Sequence, residues 1–415
     1  MHRLTVPALL LLITGCDTET ADPKETGGDT AVDTGETGDT DTGDTDTDTG
    51  DTDTGDTNET GDSGIDTSLP PPPTTGYFGP PALVVLADDG AGAAKVMVID
   101  TAAATSTTIT GVTVPKTATF GCAGQYVWVL STKGDAATPD VAYGVEARNL
   151  VIGATIELPA KFDPKAVTYN ESFWFAGDGS ASVMSYDGAG AEGGSIDLSS
   201  VADADGIPEV RAFIPSDAGQ AAVLARTGSG ATTKSGVAFL DFAALSITGS
   251  GDLAGSNAGS AAGGVPGALM INLEASGTSG GALELFDTTS KSSAGNAVDF
   301  SGVTRVATVS GGAGDGTMYV AVDDGDAITV HRYISDGTDL GTITTNTIAN
   351  GLAVVQPYLW SGEGTGTSAN LIGYDLASGA ESATVAIGSS IYGVAACAPP
   401  PMPPNDTGDT AAPPE

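Results

Sequence analysis

Short apolar runs, separated by Gly, Asp and Ser, make up the chain from Tyr77 to Ala398. The runs are rich in Val, Ile, Leu, Phe and Tyr, and each is about as long as a single β-strand. No long window repeats its apolar residues with the period of an α-helix. The pattern therefore predicts an all-β body over residues 77–398.

A strongly apolar strand recurs along this body at intervals of roughly 40–50 residues. Each copy follows a Gly- or Ala-rich strand, and precedes a strand that ends near Asp and then a Thr/Ser-rich strand. The apolar strand recurs at Leu83–Ala87, Tyr126–Leu130, Phe173–Ala176, Ala221–Ala225, Ala268–Leu273, Met318–Val322 and Tyr358–Ser361. Units of this kind, seven in number, resemble the blades of a β-propeller. Two stacked β-sandwich domains are the alternative, and they explain the sevenfold recurrence less well.

The same repeat also predicts the position of the first strand of each unit. It is predicted at Thr117–Gly121, Lys165–Tyr169, Val210–Pro215, Gly263–Pro266, Arg305–Val309 and Leu352–Val355, of which Gly263–Pro266 fits poorly. The first unit lacks such a strand, whereas Ser389–Cys397 is an extra strand near the C-terminus. We expect Ser389–Cys397 to pair with Leu83–Ala87, because a closed ring of sheets leaves no open edge at the first blade.

The N-terminal residues MHRLTVPALLLLITGC have the features of a secretory signal. His2 and Arg3 precede the apolar run Leu4–Ile13, which is too short to span a bilayer. The ending Ile13-Thr14-Gly15-Cys16 resembles a bacterial lipobox, which implies removal of residues 1–15 and acylation of Cys16. Several acyl chains would anchor the protein stably. An ordinary signal peptide with a chance cysteine is the alternative.

Residues 16–76 are predicted to be a disordered tether, because Asp, Thr and Gly dominate Asp17–Ser68 and offer no apolar face to bury. The tract resembles the DTGDT-type stalks of Gram-negative surface lipoproteins. Residues 399–415 are expected to be a disordered tail, within which Asn405–Thr410 repeats the theme. Asp44, Asp46 and Asp48 alternate as in a calcium loop, but the ligand at the twelfth position is missing. Glycosylation of the stalk threonines remains open.

Two cysteines remain in the body once Cys16 is assigned to the lipid. Cys122 and Cys397 lie at the ends of the innermost strands predicted for the second and first blades. Ring closure would bring these ends together, so we predict a disulfide between them. Two buried free thiols are the alternative.

The net charge of −39, with only 14 Lys and Arg residues, excludes nucleic acid as a partner, because neutralising phosphates requires clusters of cations. The only histidine after the signal, His331, lies on a third strand and is interpreted as an ordinary strand residue. No nucleophile elbow or usual metal-ligand set is present. Calcium could bind the acidic turns Asp88–Gly90 and Asp323–Asp326, although Asp also simply favours turns. We expect no cofactor otherwise.

Seven aromatic residues lie in three of the predicted second strands: Tyr126, Trp128, Phe173, Trp174, Phe175, Tyr358 and Trp360. We expect them to pack between blades, rather than to stack on sugars at the rim.

The segment Lys95–Val112, KVMVIDTAAATSTTITGV, resembles blades of bacterial lactonase-like and surface-layer propellers. The function predicted is a monomeric, lipid-anchored binding or scaffold module for an envelope or extracellular protein or glycan. We expect it at the outer membrane or cell surface rather than the inner membrane. The alternative is an extracellular hydrolase or lyase that acts on a sugar or lactone with axial carboxylates. The scarcity of His, Lys and Arg disfavours an enzyme, whereas acidic side chains converging from several blades would favour one.

Overall fold

The computed structural model describes residues 76–399, with short gaps. The gaps are 135–136, 202–207, 216–220, 228–233, 256–257, 263–266, 274–280, 301–304, 312–316, 324–327, 335–336 and 346–350. The chain divides into two units, Met1–Thr67 and Ser68–Glu415, and every described residue belongs to the second. Cys16, the predicted signal and most of the predicted tether and tail therefore lie outside the described residues.

The described strands form seven antiparallel sheets of four strands each, which confirms the prediction of an all-β propeller. From the innermost strand outwards, blade 1 holds β28 (Ile391–Cys397), β1 (Ala82–Asp88), β2 (Ala94–Asp100) and β3 (Thr105–Val114). Blade 2 holds β4 (Thr119–Ala123), β5 (Tyr126–Ser131), β6 (Asp140–Glu146) and β7 (Val151–Leu158). Blade 3 holds β8 (Pro164–Asn170), β9 (Ser172–Gly177), β10 (Ser182–Tyr186) and β11 (Glu192–Asp197).

The remaining blades follow the same order. Blade 4 holds β12 (Glu209–Pro215), β13 (Ala221–Thr227), β14 (Lys234–Asp241) and β15 (Ser246–Asp252). Blade 5 holds β16 (Ala258–Ala262), β17 (Ala268–Leu273), β18 (Ala282–Asp287) and β19 (Ser292–Asp299). Blade 6 holds β20 (Arg305–Gly311), β21 (Met318–Asp323), β22 (Ile328–Tyr333) and β23 (Asp339–Thr345). Blade 7 holds β24 (Leu352–Val355), β25 (Tyr358–Glu363), β26 (Asn370–Asp375) and β27 (Glu381–Ala386).

The innermost strands contact one another in a closed cycle. β4 contacts β8, and the cycle continues through β12, β16, β20, β24 and β28 back to β4. We call the end at which these strands begin the upper face and the end at which they stop the lower face. Because neighbouring strands are antiparallel, the turns between second and third strands lie on the upper face, and the turns between third and fourth strands lie on the lower face.

The C-terminal strand closes the ring as predicted. β28 pairs with β1 from Ala82, opposite Cys397, to Ala87, opposite Ile391. Cys122 of blade 2 and Cys397 of blade 1 form a disulfide across 275 residues, with Cα atoms 5.5 Å apart. The two ends of the body are thus joined by both a β-ladder and a covalent bond.

The hydrophobic core lies between the blades. Trp128 of blade 2 is fully buried, and its ring lies 4.8 Å from Phe173 and 5.3 Å from Phe175 of blade 3. Trp174 is also buried, so three consecutive aromatic residues of β9 face apolar surroundings on both sides of their sheet. This confirms that the aromatic residues of the second strands pack between blades; Tyr358 alone among them is only half-buried.

A repeated turn joins the third and fourth strands of the blades. Its first residue is an Asp in several blades, and the carboxylate accepts backbone N–H groups two to four residues ahead, as at Asp100, Asp187, Asp241, Asp287 and Asp375. A residue with positive φ ends the turn in every blade: Ala104, Leu150, Gly190, Leu245, Lys291, Gly337 and Gly379. These self-contained turns explain why the third strands end near Asp in the sequence.

The predicted first strand of blade 5 is wrong. Gly263–Pro266 lies outside the described residues, and the strand is β16, five residues upstream. Its sequence, Ala-Gly-Ser-Ala-Ala, contains no large apolar residue, so it gives no hydrophobic signal. Ala258 is nevertheless fully buried, and its N–H donates to the Ser235 hydroxyl at 3.0 Å. Small residues suit this position because neighbouring blades approach closely there.

Candidate functional site

Bulges interrupt the innermost strands near the upper face. The pairing with the second strand skips one residue in five blades: Tyr392, Lys165, Arg211, Gly259 and Thr308. A bulge breaks the alternation of side chains and gives the skipped residue a new direction. Polar or charged side chains thus occupy the skipped positions of blades 1, 3 and 4.

Two of these residues form a charged cluster between blades 3 and 4. Lys165 Nζ lies 2.9 Å from Asp163 Oδ1 and 4.0 Å from Asp178 Oδ2. An Arg211 terminal nitrogen lies 3.9 Å from the same Asp178 oxygen, and the other terminal nitrogen pairs with Glu209. We call these five residues, Asp163, Lys165, Asp178, Glu209 and Arg211, the upper cluster.

Blade 2 supports one side of the upper cluster. The Thr132 hydroxyl donates to Asp163 Oδ1 at 2.5 Å, and the Asp163 N–H donates to Asp140 Oδ2 at 2.7 Å. Asp140 is fully buried and also accepts the Lys133 N–H at 2.6 Å. Carboxylates from three neighbouring blades therefore converge at the upper face, although those of Asp163 and Asp178 are accompanied by cations.

Asp178 has the most perturbed acidity in the cluster. Burial raises its pKa from the ordinary 3.8 to about 6, even though Arg211 and Lys165 favour the charged form. Among the described residues, neither Asp178 Oδ1 nor Arg211 Nε has a hydrogen-bond partner, although both atoms are buried. A carboxyl with a pKa near 6 can give or take a proton close to neutral pH.

A smaller ionic contact links blades 1 and 2 on the same face. Lys116 Nζ lies 3.6 Å from Asp88 Oδ1 and 4.8 Å from the centre of the Tyr392 ring. Hydrogen bonding, foremost from the Gly90 N–H, lowers the pKa of Asp88. Asp88 ends the second strand of blade 1 and Lys116 comes just before the innermost strand of blade 2, so the contact corresponds approximately in position to Asp178–Arg211.

The other described candidate residues, His331, Asp88 and Asp89, do not come together in one site. His331 lies on β22, and its Nδ1 is 3.3 Å from Asp339 Oδ2 at an exposed position. Asp88 and Asp89 accept N–H groups of their own turn, as turn-forming residues do. In the described part of the chain, no three His, Cys, Asp or Glu residues are grouped as metal ligands. Asp324–Asp326 and Cys16 lie outside the described residues.

The sequence contains one signal for the upper cluster, which is the position of its cations. Cations are scarce, yet they recur at the start of four of the seven innermost strands or just before them: Lys116, Lys165, Arg211 and Arg305. Such a recurrence at one position of a repeat predicts a charged ring on one face. The acidic partners could not be recognised, because Asp and Glu are abundant throughout the chain.

Comparisons with known proteins support the fold alone. No family model matches the chain, and no curated protein matches its sequence. A solved structure from Lactobacillus plantarum is 13% identical with a TM-score of 0.55, over 77% of this chain and 100% of that one. A protein from Bacteroides fragilis, provisionally named a 6-phosphogluconolactonase, is 11% identical with a TM-score of 0.54, over 77% and 98%. A similarly named protein from Bacteroides uniformis is 10% identical with a TM-score of 0.53, over 76% and 99%.

A search of the described residues for a helix long and apolar enough to cross a membrane finds none.

Proposed function

We propose that the protein is a lipid-anchored binding module that recognises an envelope or extracellular protein or glycan through its upper face. Cys16 carries the acyl anchor, and residues 16–76 form the tether to the propeller. The module acts at the outer membrane or cell surface. The observation that carries this proposal is the upper cluster, in which bulges direct Lys165 and Arg211 towards Asp178 at the boundary of two blades.

The energetics of Asp178 favour a functional role over a purely structural one. A carboxyl whose pKa is raised by folding is less stable in its charged form in the folded state than in the unfolded state. At neutral pH, ionised Asp178 therefore costs stability, even though two cations lie near it. Residues kept at such a cost are found preferentially at binding and catalytic sites.

The start of the body lies on the opposite side of the ring. The Gly76 N–H donates to the Tyr169 carbonyl, and the Gly124 N–H donates to the Gly76 carbonyl. Gly124 belongs to the turn between β4 and β5, on the lower face, and Tyr169 lies near the lower end of β8. The described start of the body, at Gly76, therefore contacts the lower face.

The experiment compares capture of envelope material by the full-length chain and two matched variants. Immobilised protein is incubated with detergent-solubilised envelope and with the secreted fraction of the source organism. Arg211→Ala is expected to reduce capture at least tenfold, whereas Lys291→Ala, which removes the same charge from the lower face, should leave capture unchanged. Protease or periodate treatment of the fractions then identifies the ligand as protein or glycan. Equal capture by both variants would contradict the proposal.

A second function is favoured by one observation, the raised pKa of Asp178 beside two cations. In a hydrolase, Asp178 would act as the general acid or base, and Lys165 or Arg211 would stabilise negative charge on a sugar or lactone oxygen. The full-length chain is assayed with chromogenic glycosides and sugar lactones across pH 4–8. Turnover that changes near pH 6 and falls at least a hundredfold in Asp178→Asn supports an enzyme; turnover that Asp178→Asn leaves intact rules this site out.

A further inference from the structure

A separate pocket lies on the lower face, between the outer parts of blades 1 and 2. Its volume is about 380 Å³, within the usual range of small-molecule sites. Pro80 and Pro81 form one wall, Thr105 and Thr107 of β3 form another, and Arg148 from the last turn of blade 2 lies at its edge. None of these residues belongs to the upper cluster.

Arg148 gives this pocket a preference for negative charge. No described residue forms a hydrogen bond or ion pair with its guanidinium, and its side chain is exposed. In a chain with a net charge of −39, anions are repelled in general, so a local preference for them must come from a nearby cation. The planar guanidinium matches the two oxygens of a carboxylate.

The other walls suit a ligand that is both hydroxylated and partly apolar. The side chains of Thr105 and Thr107 are exposed and can donate or accept hydrogen bonds. Asp100 also lines the pocket, and only one of its carboxylate oxygens is occupied by turn N–H groups. The two prolines and Leu150 offer apolar surface on which the C–H face of a sugar ring can lie.

Leu150 supplies exposed apolar surface to the pocket from a left-handed backbone conformation. Its φ is 56°, in the left-handed region that glycine tolerates best, and its side chain is 36% exposed. The adjacent Val151 is 47% exposed. Blades 3, 6 and 7 have glycine at the equivalent turn position, whereas blades 1, 4 and 5 have Ala104, Leu245 and Lys291 there, so the turn accepts residues of different size and polarity.

The shape of β3 argues against an extended peptide as the ligand. The pairing of β3 with β2 is regular only from Thr105 to Thr108, and an irregularity then separates it from Thr113. A peptide that added a strand to this edge would find only a short straight segment. A compact ligand fits the pocket better.

We propose that this pocket binds a sugar acid, with its carboxylate on Arg148 and its hydroxyl groups on Thr105, Thr107 and Asp100. The ligand is either a free sugar acid or a residue within an acidic polysaccharide, because both present the same chemistry. This site is independent of the upper cluster and goes beyond the proposed function.

Calorimetric titration of the purified full-length chain tests the proposal with four probes: D-glucuronate, D-galacturonate, D-glucose and an oligogalacturonate. A uronate is expected to bind at least roughly tenfold more tightly than glucose, and Arg148→Ala should remove that difference. Tighter binding of the oligomer than of the monomer would identify a polysaccharide as the source, and equal binding would identify the free acid. No detectable uronate binding, or no preference for uronate over glucose, would overturn the proposal.

Two further variants separate the pocket from general effects of charge and folding. Lys133→Ala removes one exposed positive charge from the upper face and should leave uronate affinity unchanged. Leu150→Gly removes the apolar wall while relieving its positive φ, so it should lower uronate affinity severalfold without lowering the melting temperature. Equal loss of affinity in Lys133→Ala and Arg148→Ala would show that bulk charge, and not the pocket, controls binding.

Discussion

Asp178 combines two properties at the scale of a single residue: it is mostly buried, and it lies between two cations without being held in the ionised state. Its pKa of about 6 shows that loss of water outweighs the attraction of Arg211 and Lys165, both about 4 Å from its Oδ2. The contact of Asp178 with Arg211 and Lys165 therefore contributes little to holding blades 3 and 4 together. Its proton is exchangeable near neutral pH, which is useful in a binding or reacting site.

The free energy of unfolding should depend on the protonation of Asp178. The folded-state pKa of Asp178 exceeds the unfolded value, so the folded chain binds the extra proton between about pH 4 and pH 6. The free energy of unfolding contributed by Asp178 is therefore greatest below pH 4 and is lost as pH rises through 6. We expect the difference between Asp178→Asn and the parent chain to change by about 2–3 kcal/mol between pH 4 and pH 7 in favour of the variant.

Denaturant unfolding of both proteins at several pH values measures this difference. Comparison with the parent cancels the other carboxylates, such as Asp375, whose pKa is lowered by hydrogen bonds from Ser378 and whose stabilising effect is lost only in more acidic solution. A difference that does not depend on pH would show that Asp178 titrates normally.

Residue-scale features were the hardest to predict from the sequence. Asp178 and Arg211 are far apart along the chain, and each looks like an ordinary turn or strand residue. Their proximity depends on the contact between β8 and β12 and on bulges that leave no trace in the hydrophobic pattern. The Cys122–Cys397 bond could be predicted because cysteines are few and ring closure dictated the pair.

At the scale of the element, β28 and its disulfide complete the first blade. The chain-entropy model predicts that a bridge across 275 residues stabilises the folded state by about 5 kcal/mol, because it restricts the unfolded chain. The double variant Cys122→Ser/Cys397→Ser should therefore unfold at a clearly lower denaturant concentration. The parent chain treated with reductant is the control and should behave like the variant. An unchanged midpoint in both would show that the β28–β1 ladder alone closes the ring.

The innermost strand β16 depends on small residues. Ala258 is fully buried where blade 5 meets its neighbours, so Ala258→Leu should overpack this region and destabilise the protein by about 1–3 kcal/mol. Ala243→Leu, at an exposed turn of blade 4, is the matched control and should have little effect. Thermal unfolding of the parent chain and the two variants tests this prediction. Equal melting temperatures would contradict the tight packing of β16.

Strands of large apolar residues are easier to predict from the sequence than strands of small residues. The second strands, such as Tyr126–Ser131, are buried on both faces and appear as continuous apolar runs, so their positions were predicted correctly. β16 carries only Ala, Gly and Ser, and its predicted position was wrong for that reason. β-Strand propensity alone cannot identify a strand that consists of small residues.

At the scale of the whole molecule, the proposal requires attachment through Cys16. We expect the native protein to partition into the detergent phase on Triton X-114 extraction, because its acyl chains bury in micelles, and Cys16→Ser to remain in the aqueous phase. Cys122→Ser, which removes a cysteine from the body, is the control and should still partition into detergent. Aqueous partitioning of the native protein would contradict lipid anchoring.

The central claim is that the upper face carries the ligand, and paired photo-cross-linking in cells tests it most directly. A photoreactive residue replaces Lys161, exposed beside the upper cluster, or Ala243, exposed on the lower face. The account predicts a discrete cross-linked product, protein or glycan, from position 161 that disappears when Arg211→Ala is added, and none from position 243. Cross-linking from position 243 alone, or a product at 161 that persists with Arg211→Ala, would contradict it.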